Sequence, residues 1–156
     1  MPDHQLIESA NKGELSDWKN LDSHMKRMLK DKKSTGLAEQ FGGEWLEFRD
    51  FSLHTGLDKK AFPRVTNKVQ SLMEEESRTF FAKMIQEDKS VLDIFLSDET
   101  FLNEELASYY GIKGVKGPEF RAVKVIDYQR GGLFGMGAML VKTSYPLRTS
   151  PVLRGD

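Results

Sequence analysis

Residues 66–88, TNKVQSLMEEESRTFFAKMIQED, decide the class of this fold. Val69, Leu72, Met73, Phe80, Met84 and Ile85 recur at the three- and four-residue spacing that lines one face of a helix. The same stretch holds the densest acid cluster of the chain, Glu74-Glu75-Glu76. Successive helical residues turn by about 100°, so these carboxylates point in three directions and only one can face inward. One reading is a solvated acidic face. The other turns one glutamate inward beside Ser77, where it needs a cationic partner such as an arginine from the tail.

Working towards the N-terminus, residues 50–64, DFSLHTGLDKKAFPR, form a loop punctuated by Gly56 and Pro63. A helix is expected over residues 37–48, with Phe41, Trp45 and Phe48 as its apolar stripe and Gly42-Gly43 allowing close backbone packing. Residues 1–35 are polar. Trp18, Leu21, Met25, Met28 and Leu29 fall at helical spacing there, after a Ser16-Asp17 cap and before KDKKSTG.

Working towards the C-terminus, a short helix is expected over 90–96, capped by Ser90. A second, SDETFLNEELASYYG, starts at Ser97-Asp98 and ends on Gly111. Residues 120–128 alternate as a strand, and 133–141 read as a glycine-laced buried helix or a strand, with helix the preferred reading. Pro146 and Pro151 exclude a long element in the tail. The expected fold is mainly α, an irregular helical bundle with a Gly/Pro-rich C-terminal region and one short strand pair near 119–128. Its core is Trp45, Leu46, Phe48, Leu72, Phe80, Phe81, Met84, Leu102, Leu106 and Tyr110. Two segments are expected: a helical domain over 1–112, and a Gly/Pro-rich segment over 113–156 that packs on it and begins a following domain.

Composition narrows the function. The 156 residues carry 23 basic and 24 acidic side chains, a balance that predicts neither nucleic acid nor an anionic membrane as partner. There is no cysteine, which excludes disulfides, thiolate metal sites, a cysteine nucleophile and covalent haem attachment in this chain. The apolar run 131–141 falls short of the roughly 20 residues of a membrane span. The N-terminus, MPDHQLIESANKGEL, lacks the basic-then-apolar pattern of a signal peptide.

Few chemical signatures stand out. His4, His24 and His54 are scattered without metal-ligand spacing, so no metal site is expected. Gly135-x-Gly137 lacks the context of a dinucleotide fingerprint, and no serine sits in GxSxG. Arg121, Arg130, Arg148 and Arg154 lie in or beside the irregular region, where a forked guanidinium either staples loop carbonyls or binds an anion. Asn103 falls mid-helix on this reading, where asparagine competes with the backbone, so it caps a neighbouring loop or lines a site. Tyr109 and Tyr110 read as core aromatics with bonded hydroxyls.

The E-S-x-x-F-F helix at 76–81, FLNEELASYYGI at 101–112, RGGL at 130–133 and TSPVLRG at 149–155 together resemble a bacterial pair of uncharacterised domains. These are planctomycete-type domains of unknown function, catalogued as fifteen-ninety-two followed by fifteen-eighty-eight. The resemblance spans about residues 15–155. It implies a module of a large exported or periplasmic protein in which cytochrome c domains share the polypeptide. Haem c would then lie elsewhere in the parent, and the partners would be other domains of the same chain. The family pattern continues past TSPxxRG, so the chain is expected to be a fragment. Phe134-Gly135-Met136 stands where the family often has a leucine and polar residues.

The resemblance supplies positions without roles: Glu75 or Glu76, Asn103, Tyr110, Gly111, Arg130, Gly131, Gly132, Thr149, Ser150, Pro151 and Arg154. Two functions follow as expectations. One is a structural or docking domain beside a cytochrome c module. The alternative is an enzyme or binding domain for a carbohydrate or anionic ligand. Its candidate cleft residues are Glu75, Glu76, Asn103, Arg130, Ser150 and Arg154, and no catalytic residue is identified.

Overall fold

The computed structural model describes residues 2–54, 56–145 and 148–152. The chain divides into two compact units, Met1–Thr35 and Gly36–Asp156. In the first, α1 (His4–Asn11) is capped by Asp3 and α2 (Trp18–Leu29) by Asp17, each carboxylate accepting from a backbone N–H of the first turn. Such caps satisfy donors that a helix start leaves unpaired. Gly13, at φ 72°, turns the chain between the two helices. Arg27 donates to Asp3 at 2.9 Å, and His24 pairs with Ser9 at 3.0 Å. None of its described residues is fully buried, and half-buried Leu6, Leu21, Met28 and Leu29 accompany these polar contacts. The helix α1 is additional to the sequence expectation.

From Thr35, the last residue of the first unit, the chain runs on into the second as a continuous helical stretch: α3 (Thr35–Leu37), a π-helical turn (Ala38–Gly42) and α4 (Gly43–Trp45). The widened turn and the glycine pair set which face points inward. Ala38, Gly42 and Gly43 are buried, whereas Phe41 and Trp45 lie outside, stacked on each other at 5.6 Å. A Cβ on Gly42 would sit 2.4 Å from the Phe81 ring, so the glycine permits this approach. Trp45 is therefore corrected out of the core. It is 54% exposed and meets Phe81 only by its edge.

Helix α5 (Asn67–Gln86) is capped by Thr66 and supplies the central wall of the core. Val69, Met73, Phe80, Phe81 and Met84 are buried on it, while Leu72 and Ile85 are partly buried. Gln70, also buried, donates to His54 O at 3.0 Å and ties down the 3-10 turn Phe51–Leu53. Next come α6 (Asp93–Leu96), β1 (Glu99–Leu102) and α7 (Glu104–Tyr110).

Two expectations change here. Helix α6 is shorter than 90–96, and Ser90 Oγ accepts from Leu92 N just before it. The FLNEELASYYG helix begins at Glu104 rather than Ser97, because Glu99–Leu102 pairs as a strand. That strand runs antiparallel to β2 (Arg121–Lys124), with Glu99 opposite Lys124 and Leu102 opposite Arg121. Along β1, Thr100 and Leu102 alternate inward. Gly111 closes α7 at φ 77°, and Ile112 N returns to Ala107 O at 2.8 Å, the expected C-terminal glycine motif.

After β2 come two 3-10 turns, Ile126–Tyr128 and Leu133–Gly135, then α8 (Gly137–Lys142) and a small ladder of β3 (Ser144–Tyr145) with β4 (Arg148–Thr149). Leu133, Met136 and Ala138 enter the same core as α5 and α7. Among the described residues the fold is mainly α, with one short antiparallel pair, β1–β2, whose second strand is mostly exposed, and this second ladder in the tail. No helix among the described residues is long and apolar enough to cross a membrane.

Candidate functional site

One polar cluster is built into the interior, and the distinctive sequence motifs meet there. Glu76, on the inward face of α5, is 1% exposed. Its Oε1 accepts from Thr100 Oγ1 at 2.7 Å and its Oε2 from Tyr110 OH at 2.6 Å. Tyr110 OH in turn accepts from Gly137 N at 3.1 Å, at the start of α8. Thus α5, β1, α7 and α8 are joined through one carboxylate and one phenol. Gly137 permits this approach, since a Cβ there would lie 2.4 Å from Tyr110 OH and 2.8 Å from Met73 Cε.

Arg130 completes the cluster. Its guanidinium carbon lies 3.8 Å from the centre of the Tyr110 ring, a close cation–π contact. The two glycines after it hold it there by backbone approach. Gly132 N donates to Ser97 O at 2.8 Å, and Gly131 leaves no room for a Cβ against that same oxygen. Gly132 adopts φ 52°, ψ −169°, a conformation suited to glycine, with Phe95 O 2.4 Å from where its Cβ would stand. RGGL is therefore a packing motif that seats Leu133 in the core and Arg130 over Tyr110.

The environment shifts both acids. Burial pushes the Glu76 carboxyl up, to about 6, against the opposing pull of the Tyr110 and Thr100 hydrogen bonds and the Arg130 charge. Burial, and then the neighbouring Glu76 charge, raises the Tyr110 phenol well above its ordinary value. Arg130 Nη2 is buried and has no hydrogen-bond partner among the described residues.

The candidate residues separate. Glu76 and Arg130 share the cluster. Glu75 faces another cleft, where Arg78 Nε donates to it at 3.0 Å and Arg78 Nη1 donates to Glu39 at 2.7 Å. Glu74 accepts from Ser52 N at 2.8 Å. Asn103 is corrected from mid-helix to the N-cap of α7, its Oδ1 accepting from Leu106 N at 2.9 Å. Ser150 is half-buried just after β4, and Arg154 lies outside the described residues. Arg148 stacks over Tyr145 at 4.8 Å.

Sequence reading missed Thr100 and Gly137. The β-branched Thr100 followed by Phe101-Leu102, with Asn103 directly before Glu104-Glu105, is the strand-then-cap signal that could have placed Thr100 on a strand. Gly137 gains its role only from the distant Tyr110, and no local signal marks it. Among the described residues there is no group of three or more histidine or acidic side chains arranged to hold a metal.

A wider cleft opens beside this cluster. It measures about 490 Å³ and runs between the segment 61–65, the Tyr109-Tyr110 end of α7, Arg130 and α8.

Comparison with known families gives one match: the family described as PSD4, protein of unknown function (DUF1592), matches residues 1–112. No curated protein matches the chain, and no solved structure matches it.

Proposed function

The chain belongs to the PSD4 family (DUF1592), whose function is unknown, and from that premise we propose that it is a structural or docking domain of a larger exported or periplasmic protein, seated beside a cytochrome c module. The observation that carries this reading is an apolar surface on the second unit. Val91, Leu92, Phe95 and Leu96 project from α6 and the turn before it, with Leu92 64% and Leu96 75% exposed. Phe134 stacks on Phe95 at 5.4 Å and extends the surface. Clustered exposed apolar side chains of this size mark contact surfaces, and neighbouring domains of one polypeptide meet through such surfaces.

The cytochrome c neighbour and the exported location rest on the resemblance carried by the E-S-x-x-F-F, FLNEELASYYGI, RGGL and TSPVLRG motifs. A cysteine-free chain leaves covalent haem attachment to another domain. The alternative, a catalytic or polar-ligand cleft of glutamate, asparagine and arginine, draws little support from the geometry. Glu75 is paired with Arg78, Asn103 is spent on a helix cap, and both oxygens of Glu76 already accept hydroxyl donors.

The test is a visible absorption spectrum, with haem staining, of the full-length parent protein purified from its own host. A covalent c-type haem signal supports the docking reading. A haem-free parent overturns its cytochrome c component.

A further inference from the structure

We propose that the cleft beside Tyr110 binds a small organic carboxylate with an apolar body, its head held by Arg130 and Arg64. This inference is independent of the docking reading. Arg130 lies over the Tyr110 ring at 3.8 Å and Arg64 over the Tyr109 ring at 5.4 Å. The two rings are themselves edge-on at 5.8 Å. Two guanidinium groups are thus mounted on adjacent aromatic faces along one wall. Stacking occupies the flat face of a guanidinium and leaves its N–H edge free for the forked contact that suits a carboxylate.

Among the described residues, both cations lack the carboxylate partner that three other arginines have. Arg27, Arg49 and Arg78 each pair with a carboxylate. No such pair forms for Arg64 or Arg130 among the described residues. The carboxylate whose charge reaches Arg130 is Glu76, but the hydroxyls of Thr100 and Tyr110 occupy its two oxygens. Arg130 Nη2 is left as a buried donor without an acceptor. Such a donor costs stability until an oxygen reaches it, and a carboxylate in the cleft would supply that oxygen once the guanidinium turns towards the opening.

The rest of the lining decides the body of the ligand. Phe62 and Leu140 line the cleft with few polar atoms. A volume of about 490 Å³ falls within the range of small-molecule sites, which combine apolar walls with a few orienting polar groups. A bare inorganic anion would leave those walls unused, and a sugar would leave the two cations without a counter-charge.

The experiment is an amide-resolved NMR titration of the whole chain with phenylacetate, and in parallel with inorganic phosphate. The expected result is saturable shifts from phenylacetate at Val65, Tyr109, Tyr110, Gly137 and Val141, with phosphate far weaker. Arg64→Ala, at an exposed position outside the core, should weaken phenylacetate by about tenfold, the usual loss for one charge-assisted contact. Arg130→Lys, which keeps the charge and removes the fork, should weaken it comparably while the remaining spectrum stays folded. Absence of saturable shifts, equal binding of phosphate and phenylacetate, or unchanged affinity in a folded Arg64→Ala protein would each overturn the proposal.

Discussion

Tyr110 donates its phenolic proton to Glu76 across 2.6 Å, and this bond joins α7 to α5 inside the core. The same oxygen receives Gly137 N, so one side chain holds three segments in register. Tyr110→Phe keeps the ring under Arg130 but removes both bonds. It should cost about 1–3 kcal/mol, the usual penalty for leaving buried polar groups unpaired. Urea unfolding at neutral pH checks this. A variant as stable as the parent would show that the bond contributes nothing to folding.

Glu76 makes stability depend on pH with a definite sign. Its carboxyl is raised from 4.5 to about 6 in the folded chain. Between those values the folded state holds more protons than the unfolded one. Its contribution is therefore fully present below about 4.5 and is lost as the pH rises through about 6. The loss amounts to about 2 kcal/mol in all. Glu76→Gln, which cannot ionise, should gain about that much relative to the parent between about pH 4 and about pH 7.5. A difference between the two proteins that stays flat over this range would refute the shift.

Gly132 should tolerate no side chain. Its φ of 52° with ψ −169° and the carbonyl of Phe95 against its Cα leave a methyl group nowhere to go. Gly132→Ala should destabilise by about 3 kcal/mol or more and lower the melting temperature sharply. Normal melting would mean that the RGG backbone can re-route.

Asn103 acts as a cap, which predicts a graded series. Asn103→Ser and Asn103→Asp keep an acceptor for Leu106 N and should stay within about 0.5 kcal/mol of the parent, whereas Asn103→Ala should lose about 1 kcal/mol. Thermal denaturation of the three variants separates this from a ligand-contacting role, in which Ser and Asp would differ from Asn in binding rather than in stability.

These positions also show what the sequence can and cannot disclose. The spacing of Val69, Met73, Phe80 and Met84 marks α5, and the geometry of three consecutive glutamates allows one of them to turn inward. Both are local properties, and both appear in the structure. Gly111 was readable for the same reason, since it meets a backbone requirement of its own element, whereas Gly42 makes room for the distant Phe81 ring. The strand Glu99–Leu102 was hidden because Asp98 and Glu99, just ahead of an apolar run, imitate the acidic first turn of a helix. Pairing with β2, 19 to 25 positions along the chain by register, outweighs that local preference. The inward turn of Phe41 and Trp45 failed because a π-helical turn shifts the phase of the stripe. The partners of Glu76 lie at positions 100, 110 and 130, and nothing in the spacing of one segment reveals contacts among four.

The surface around Leu96 yields the last prediction. Leu96 is 75% exposed and Phe134 is half-exposed against Phe95, so neither contributes much to the core. Leu96→Asp should therefore change unfolding free energy by no more than about 0.5 kcal/mol. It should nevertheless reduce concentration-dependent self-association of the isolated chain, because an apolar contact surface left without its neighbour associates with itself. Sedimentation at several concentrations, beside a denaturation curve, separates the two effects. If the charge destabilises the fold by several-fold more than this bound, Leu96 belongs to the core. If stability and association are both unchanged, the surface is not a contact site, and the docking reading loses its principal support.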